Sequence, residues 1–232
     1  YKDTNLDAYD SNMPDSPENN FATLNPLSTT AGTYTEGNLK HVGAGAHSAS
    51  ISTVGVPSTG KWYFEIVLDK APANGNFASA WSFVGLKDSS KVYNWNTGDF
   101  FGVADVGHYV NMSSDSAGSF TTPVLNTVLA IAYDSDARTV SVYRDNVKVV
   151  TDANITIDAS NLVAFTSSYS SLNGTMRNNF GQDSSFAGQK TAQGNTDGNS
   201  IGDFYYAPPT GFLALCTANL PEPTIGANSD TQ

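Results

Sequence analysis

Between Lys61 and Asp69 the chain alternates without a break: Trp62, Phe64, Ile66 and Leu68 share one parity, and Tyr63, Glu65 and Val67 the other. A period of two marks a β-strand, because successive side chains leave a pleated backbone on opposite faces. A helix of this length would scatter the four large residues around its axis. This segment is the clearest strand in the chain.

Shorter strand signals follow the same rule. Ala49, Ile51 and Thr53 alternate with Ser50, Ser52 and Val54, and residues 81–86, 99–104, 124–133, 139–144, 147–151, 162–167, 176–180 and 212–217 read as further strands. Turn chemistry separates them, at residues 57–60 and 134–137. The run Arg144-Asp145-Asn146-Val147 predicts a tight hairpin, since Asp and Asn tolerate the positive φ that a two-residue turn demands. No amphipathic helical stretch of useful length occurs, and no repeat of about 20–50 residues points to a propeller or solenoid. The prediction is an all-β fold, an antiparallel two-sheet β-sandwich with loops gathered at its ends.

Composition narrows the function classes. Of 232 residues, 11 are Lys or Arg and 22 are Asp or Glu, a formal net charge of -11. A nucleic-acid partner needs a basic stripe, and an anionic membrane surface needs a basic patch; neither partner is expected. No run of about 18 apolar residues could span a bilayer, and no secretory signal pattern stands at the start. A start at Tyr1 rather than Met fits a portion of a longer protein. The single cysteine, Cys216, allows no internal disulfide framework and no cysteine-based zinc site. Aromatics make up 11% of the chain, which sets it apart from disordered sequences.

Three regions are expected. Residues 1–20, acidic and rich in Asn, form an N-terminal arm or linker; residues 21–218 form the sandwich; residues 219–232 form an exit linker. Within the sandwich, Phe21-Ala-Thr-Leu24 reads as a first docked segment, and residues 182–203 as a long loop with little to bury.

The order of the segments resembles the SPRY domain, a bent two-sheet sandwich related in outline to concanavalin-like lectins. The matching pieces are Gly60-Lys61-Trp62-Tyr63-Phe64-Glu65-Ile66, Val84-Gly85-Leu86, Phe101-Gly102-Val103-Ala104, Ala130-Ile-Ala-Tyr-Asp134, Val140-Ser-Val-Tyr-Arg-Asp-Asn-Val147 and Asn179-Phe180-Gly181-Gln182. The resemblance covers about residues 20 to 218. A narrower resemblance, carried by residues 15–27 and 211–223, is to SPRY-containing structural proteins of bacteriophage particles. It implies a place at the virion surface, in a tail fibre or head decoration. The family's usual Gly-Asp pair before the central hydrophobic strand is replaced here by Thr122-Pro-Val-Leu-Asn-Thr127, so a different turn is expected.

Candidate chemistry is sparse. Glycoside hydrolysis needs two carboxylates about 5–9.5 Å apart. Glu65 and Asp69 share a face of one strand, but four residues at ~3.3 Å each put them about 13 Å apart. The resemblance makes Glu65 a framework position. His41, His47 and His108 show no helical i,i+4 pairing and read as loop histidines rather than metal ligands. Asp134-Ser-Asp136 and Asp197-Gly-Asn199 look like short oxygen-ligand runs, but calcium needs about six to eight oxygens, and Asp-rich turns are ordinary turns. No nucleophile elbow or phosphate loop is present. No catalytic residue, metal or cofactor is expected.

Loop aromatics are the better lead. Tyr93, Trp95 and Asn96 lie between two strand signals in a polar segment, and a flat ring beside an amide suits stacking on a sugar and bonding its hydroxyls. Tyr109 with Asn111, and Tyr169, occupy other loops. The alternative for Trp95 is a satellite cluster under its own loop. The expected function is non-enzymatic: a virion surface module whose loops contact the host surface, its carbohydrate above all. The expected partners are that carbohydrate, other virion proteins or identical subunits. A purely structural contact domain is the second reading, and a carbohydrate-active enzyme the third.

Overall fold

The computed structural model describes residues 15–16, 18–28, 32–42, 48–70, 82–93, 99–104, 107–111, 116–121, 123–168 and 175–222. The strands in chain order are β1 (Thr33–Thr35), β2 (Lys40–Val42), β3 (Ser48–Gly55), β4 (Lys61–Lys70), β5 (Phe83–Asp88), β6 (Phe100–Ala104) and β7 (His108–Asn111). There follow β8 (Ser116–Ser119), β9 (Val128–Asp134), β10 (Thr139–Arg144), β11 (Val147–Asn154), β12 (Leu162–Ser168), β13 (Thr175–Asn179) and β14 (Leu213–Ala214). One sheet has the order β1-β2-β13-β4-β9-β10-β11, with β14 beside β4; the other has the order β3-β12-β5-β6-β7-β8. Every pairing is antiparallel except β14 with β4, so the predicted two-sheet sandwich is the observed architecture.

The alternation in β4 sets the layers. Trp62, Phe64, Ile66 and Leu68 point between the sheets and are buried with Leu129, Ile131, Val140 and Val142 of the same sheet. Val84, Leu86, Phe101, Val103, Leu162 and Ala164 meet them from the other sheet. Burying each large apolar side chain contributes about 1.5–3 kcal/mol, so this layer dominates the stability.

The opposite parity of β4 is buried too, and residues 182–203 together with Phe204 are the reason. The expectation of a loop with little to bury is corrected. Phe204 covers Tyr63, Ala130, Ala132, Ala214 and Cys216, and Phe186 covers Val67 and Val128. The segment's polar residues close its own turns. Asp183 accepts from the backbone of Ser185 and Ala187, and Asp197 from that of Asn199 and Ile201. Residues 183–212 thus form a cap over the outer face of the larger sheet.

The smaller sheet also carries an outer cluster, with Phe83, Phe100 and Phe165 buried beside Ala104 and Val110. Gly85 and Gly102 face each other across β5 and β6 beneath it. A Cβ on Gly85 would stand 2.1 Å from the Phe101 carbonyl oxygen, and one on Gly102 2.8 Å from the Phe100 ring.

Several turns match their sequence chemistry. Asp145 and Asn146 take φ of 45° and 65° between Arg144 and Val147, which pair directly. The strand expected from residue 124 begins instead at Val128. Residues 124–127 close a turn with Asn126 at φ 68°, held by Thr127 N donating to Val124 O and by two backbone bonds to Leu68. No α-helix occurs among the described residues, and no helix is long and apolar enough to cross a membrane.

The strand directions define two poles. At the pole where β4 starts lie Gly60, Ser135 and Asp136, tied by backbone and side-chain bonds. At the pole where β4 ends lie turn 124–127 and the 145–146 hairpin, joined by Asp145 N donating to Val128 O and Val128 N to Asp145 Oδ1. The two ends of the described chain meet at the first pole. Ala22 N donates to Leu215 O, Thr217 N to Asn20 O and Asn20 N to Thr217 Oγ1, with Phe21 opposite Cys216 and β14 beside Trp62 and Tyr63.

Candidate functional site

The sequence placed six residues in a binding surface. Trp95, Asn96 and Tyr169 lie outside the described residues. Tyr93, Tyr109 and Asn111 are described, and the fold does not bring them together. Tyr93 leaves the β5–β6 connection and lies on the outer face of the smaller sheet. Its ring centroid is 5.4 Å from that of Phe100 and 5.5 Å from that of Phe165. Ser167 Oγ donates to its hydroxyl at 3.1 Å, and burial pushes the phenol up to about 12. Tyr109 points the other way, into the main core, 6.0 Å from the Phe101 ring. Asn111 ends β7 and donates from Nδ2 to Asn154 O at 2.8 Å, tying the smaller sheet to the edge strand β11 of the larger. Tyr93 and Tyr109 therefore hold the scaffold together, and Tyr93 anchors the segment that leads to Trp95.

The carboxylates are also accounted for. Glu65 is fully buried in the outer row of β4. Its Oε1 accepts from Tyr63 Oη at 2.9 Å and Tyr206 N at 2.8 Å; its Oε2 accepts from Tyr205 N at 2.8 Å and Asn179 Nδ2 at 3.3 Å. Burial pushes its carboxyl from 4.5 to about 7, against the pull of these four donors. A carboxyl shifted to neutrality is a common mark of a general acid. Here every approach is filled by the protein's own donors, so the group pins the cap to the sheet instead.

Asp69 belongs to a separate network on the same face. Arg177 of β13 grips Glu36 with Nε at 2.6 Å and Nη2 at 2.9 Å, and donates from Nη1 to Asp69. Lys40 of β2 reaches Asp69 at 2.6 Å and Glu36 at 3.6 Å. Burial alone would raise the Asp69 carboxyl, but the Lys40 bond and the Arg177 and Lys40 charges outweigh it and hold it below 3.8. The two carboxylates first weighed as a hydrolytic pair thus serve different structural attachments.

Asp197 repeats the pattern of Glu65. Besides the two turn amides, its Oδ2 accepts from Ala214 N at 2.9 Å and Asn219 Nδ2 at 2.8 Å. Asp134 is bonded by Lys61 and Ala137 N, and Asp136 by Gly60 N. These acidic runs close turns. His41 sits in β2 with its ring 4.9 Å from that of Tyr34, His108 opens β7 in the other sheet, and His47 lies outside the described residues. Among the described residues no three His, Cys, Asp or Glu side chains are grouped to hold a metal ion.

Sequence reasoning missed the Glu65 and Asp197 attachments. The available signals were Glu65 alone among the bulky outer residues of β4 and the Asn179-Phe180-Gly181-Gln182 motif. The motif closes a loop: Asn179 Oδ1 accepts from Gly181 N, and Gln182 Oε1 from Phe180 N.

No family model matches the sequence, and no curated protein does. Solved structures do. The SPRY domain of human HERC1 aligns with a TM-score of 0.56 at 16% identity, over 67% of this chain and 96% of that domain. Another human SPRY domain aligns over 60% of this chain at 12% identity with a TM-score of 0.49. Stonustoxin aligns over 68% of this chain and 27% of its own length at 16% identity, also with a TM-score of 0.49. The HERC1 match makes the architecture that of a SPRY-like β-sandwich. At these identities the likeness concerns fold alone.

Proposed function

We propose that this chain is a non-enzymatic contact module of a bacteriophage particle, carried on a tail fibre or head decoration, whose loops bind carbohydrate on the host surface. The observation that carries the reading is the polarity of the sandwich. Both ends of the described chain lie at one pole. At the other pole the apolar side chains of Val124, Leu125 and Val147 are 59%, 46% and 65% exposed, and at the first pole that of Val92, in the β5–β6 connection, is 89% exposed. The ends of β2, β4, β6 and β12 point toward that pole as well. A scaffold tethered at one end and open at the other is suited to presenting loops. The carboxylates that could serve hydrolysis are engaged in holding the fold, which favours binding over turnover.

The test is binding of the labelled chain to host cells, competed with host-surface glycans. Saturable, glycan-competed binding supports the reading. Absence of cell binding combined with stable association to other virion proteins moves the assignment to a structural contact domain. Turnover of a glycan would overturn both.

A further inference from the structure

The two ends of the domain are paired in a particular geometry. Ala22 N donates to Leu215 O at 2.9 Å and Thr217 N to Asn20 O at 2.9 Å. Asn20 N donates to Thr217 Oγ1 at 2.8 Å, and Ala218 N to Asn19 Oδ1 at 3.2 Å. Phe21 and Cys216 face each other as antiparallel partners. Rung by rung, the N-terminal residue number falls as the C-terminal one rises, so both chains leave the ladder at the same end. The ladder is not superficial: Ala22, Leu24, Leu215 and Cys216 are all fully buried.

We propose that residues 19–22 and 215–220 form a clasp that opens first, by unzipping once the Asn219 bonds and the Leu220 contact let go, when tension reaches the domain through its two ends. In an antiparallel pair pulled apart from one side, the load falls on the outermost hydrogen bond and moves inward bond by bond. Tension between the ends and the far pole runs along the strands instead and loads these bonds together, in shear. Strand β4, beside which β14 lies, offers no such sequential path, because it is held on both sides, by β9 and by β13 with β14. The proposal is independent of what the module binds. It makes the clasp a local opening unit of lower stability than the sheets behind it.

Single-molecule pulling of the full chain tests this. Pulled by its two ends, the chain shows an early low-force event releasing about ten residues, roughly 35 Å of contour at ~3.3–3.6 Å per residue. Pulled between its N-terminal end and Asn146, it lacks that event. Phe21→Cys gives a lock, since Cys216 is the free thiol opposite and antiparallel partners lie about 4.5–5.5 Å apart, within reach of a disulfide. Reduced Phe21→Cys keeps the early event and oxidised Phe21→Cys loses it. Equal opening forces along the two pulling axes, or an early event that survives oxidation, would overturn the proposal. Should Phe21→Cys not fold, native-state hydrogen exchange of the unaltered chain decides: the Ala22 and Thr217 amides exchange at least about 100-fold faster than that of Ile131. Equal protection would sink the clasp.

Discussion

Four neutral donors, rather than a cation, hold the Glu65 carboxyl in the outer layer of the fold. Truncation to alanine leaves the N–H groups of Tyr205 and Tyr206 without acceptors, and each buried donor left unpaired costs about 1–3 kcal/mol. Glu65→Ala is therefore expected to lower the unfolding free energy by about 2–6 kcal/mol, read from urea denaturation. The pH dependence has a definite direction. The folded chain keeps its Glu65 proton up to about 7, whereas the group's ordinary value is 4.5. Stability from this group is full below 4.5 and fades as pH rises through 7, by at most about 3 kcal/mol. Asp69 acts oppositely: its carboxyl is held below 3.8, so its contribution is lost as pH falls through that depressed value. Urea midpoints of the unaltered chain should decline from pH 4.5 to 8, and the decline should vanish in Glu65→Gln. A flat profile for the unaltered chain would contradict the assignment. None of this was legible in the sequence, where Glu65 reads only as a framework position. Two of its donors, Tyr205 and Tyr206, lie 140 and 141 residues away.

Strands were legible wherever one parity is bulky and apolar, as in β4, β9 and β10, because a layered core imposes the period directly. The hairpin at Asp145 and Asn146 was legible because its backbone demands residues that accept positive φ. The cap was not. Its two anchors, Phe186 and Phe204, stand 18 residues apart in polar sequence, and no period links them. Edge protection was equally hidden. Residues 23–25 cover β3 through Thr53 N to Thr23 O and Asn25 N to Ile51 O. The outermost strand β11 is interrupted at Asp152, which takes φ 46° and accepts from Ser141 Oγ. Such an interruption blunts a strand edge against pairing with another chain. The close approach of β5 to β6 gives a prediction at this scale. Gly85→Ala drives a methyl into the Phe101 carbonyl of the neighbouring strand, which must separate the two backbones. We expect a loss of more than about 3 kcal/mol by chemical denaturation. Gly198→Ala, with no atom within 4 Å of its Cβ, should stay within about 0.5 kcal/mol of the parent. Equal effects of the two substitutions would refute the steric account of Gly85.

At the scale of the molecule, the two faces of the larger sheet do different jobs. The inner face joins it to the smaller sheet. The outer face carries the cap, fastened by Glu65 near the middle of β4 and by Asp197 beside β14. The cap brings the chain back to the pole where it began, so the C-terminal boundary is set by what fastens the cap and not by a change of composition. An exit linker starting at residue 219 was the expectation, but Asn219 still belongs to the fold. Its Nδ2 donates to Asp197 Oδ2 at 2.8 Å and to Ala214 O at 3.0 Å, and its Oδ1 accepts from Asn199 Nδ2 at 2.8 Å. Leu220 follows, packed against the main core. A chain ending at Ala218 loses a hydrogen bond to a buried carboxylate, worth about 1.5–3 kcal/mol, together with the Leu220 contact. It should be less stable than the full chain by about 2–4 kcal/mol. A chain ending at Glu222 keeps both and should be more stable than the one ending at Ala218 by about 2–4 kcal/mol. Guanidinium denaturation of the two truncations side by side reads the difference. If both unfold at the same midpoint, Asn219 does not fasten the cap and the boundary returns to residue 218.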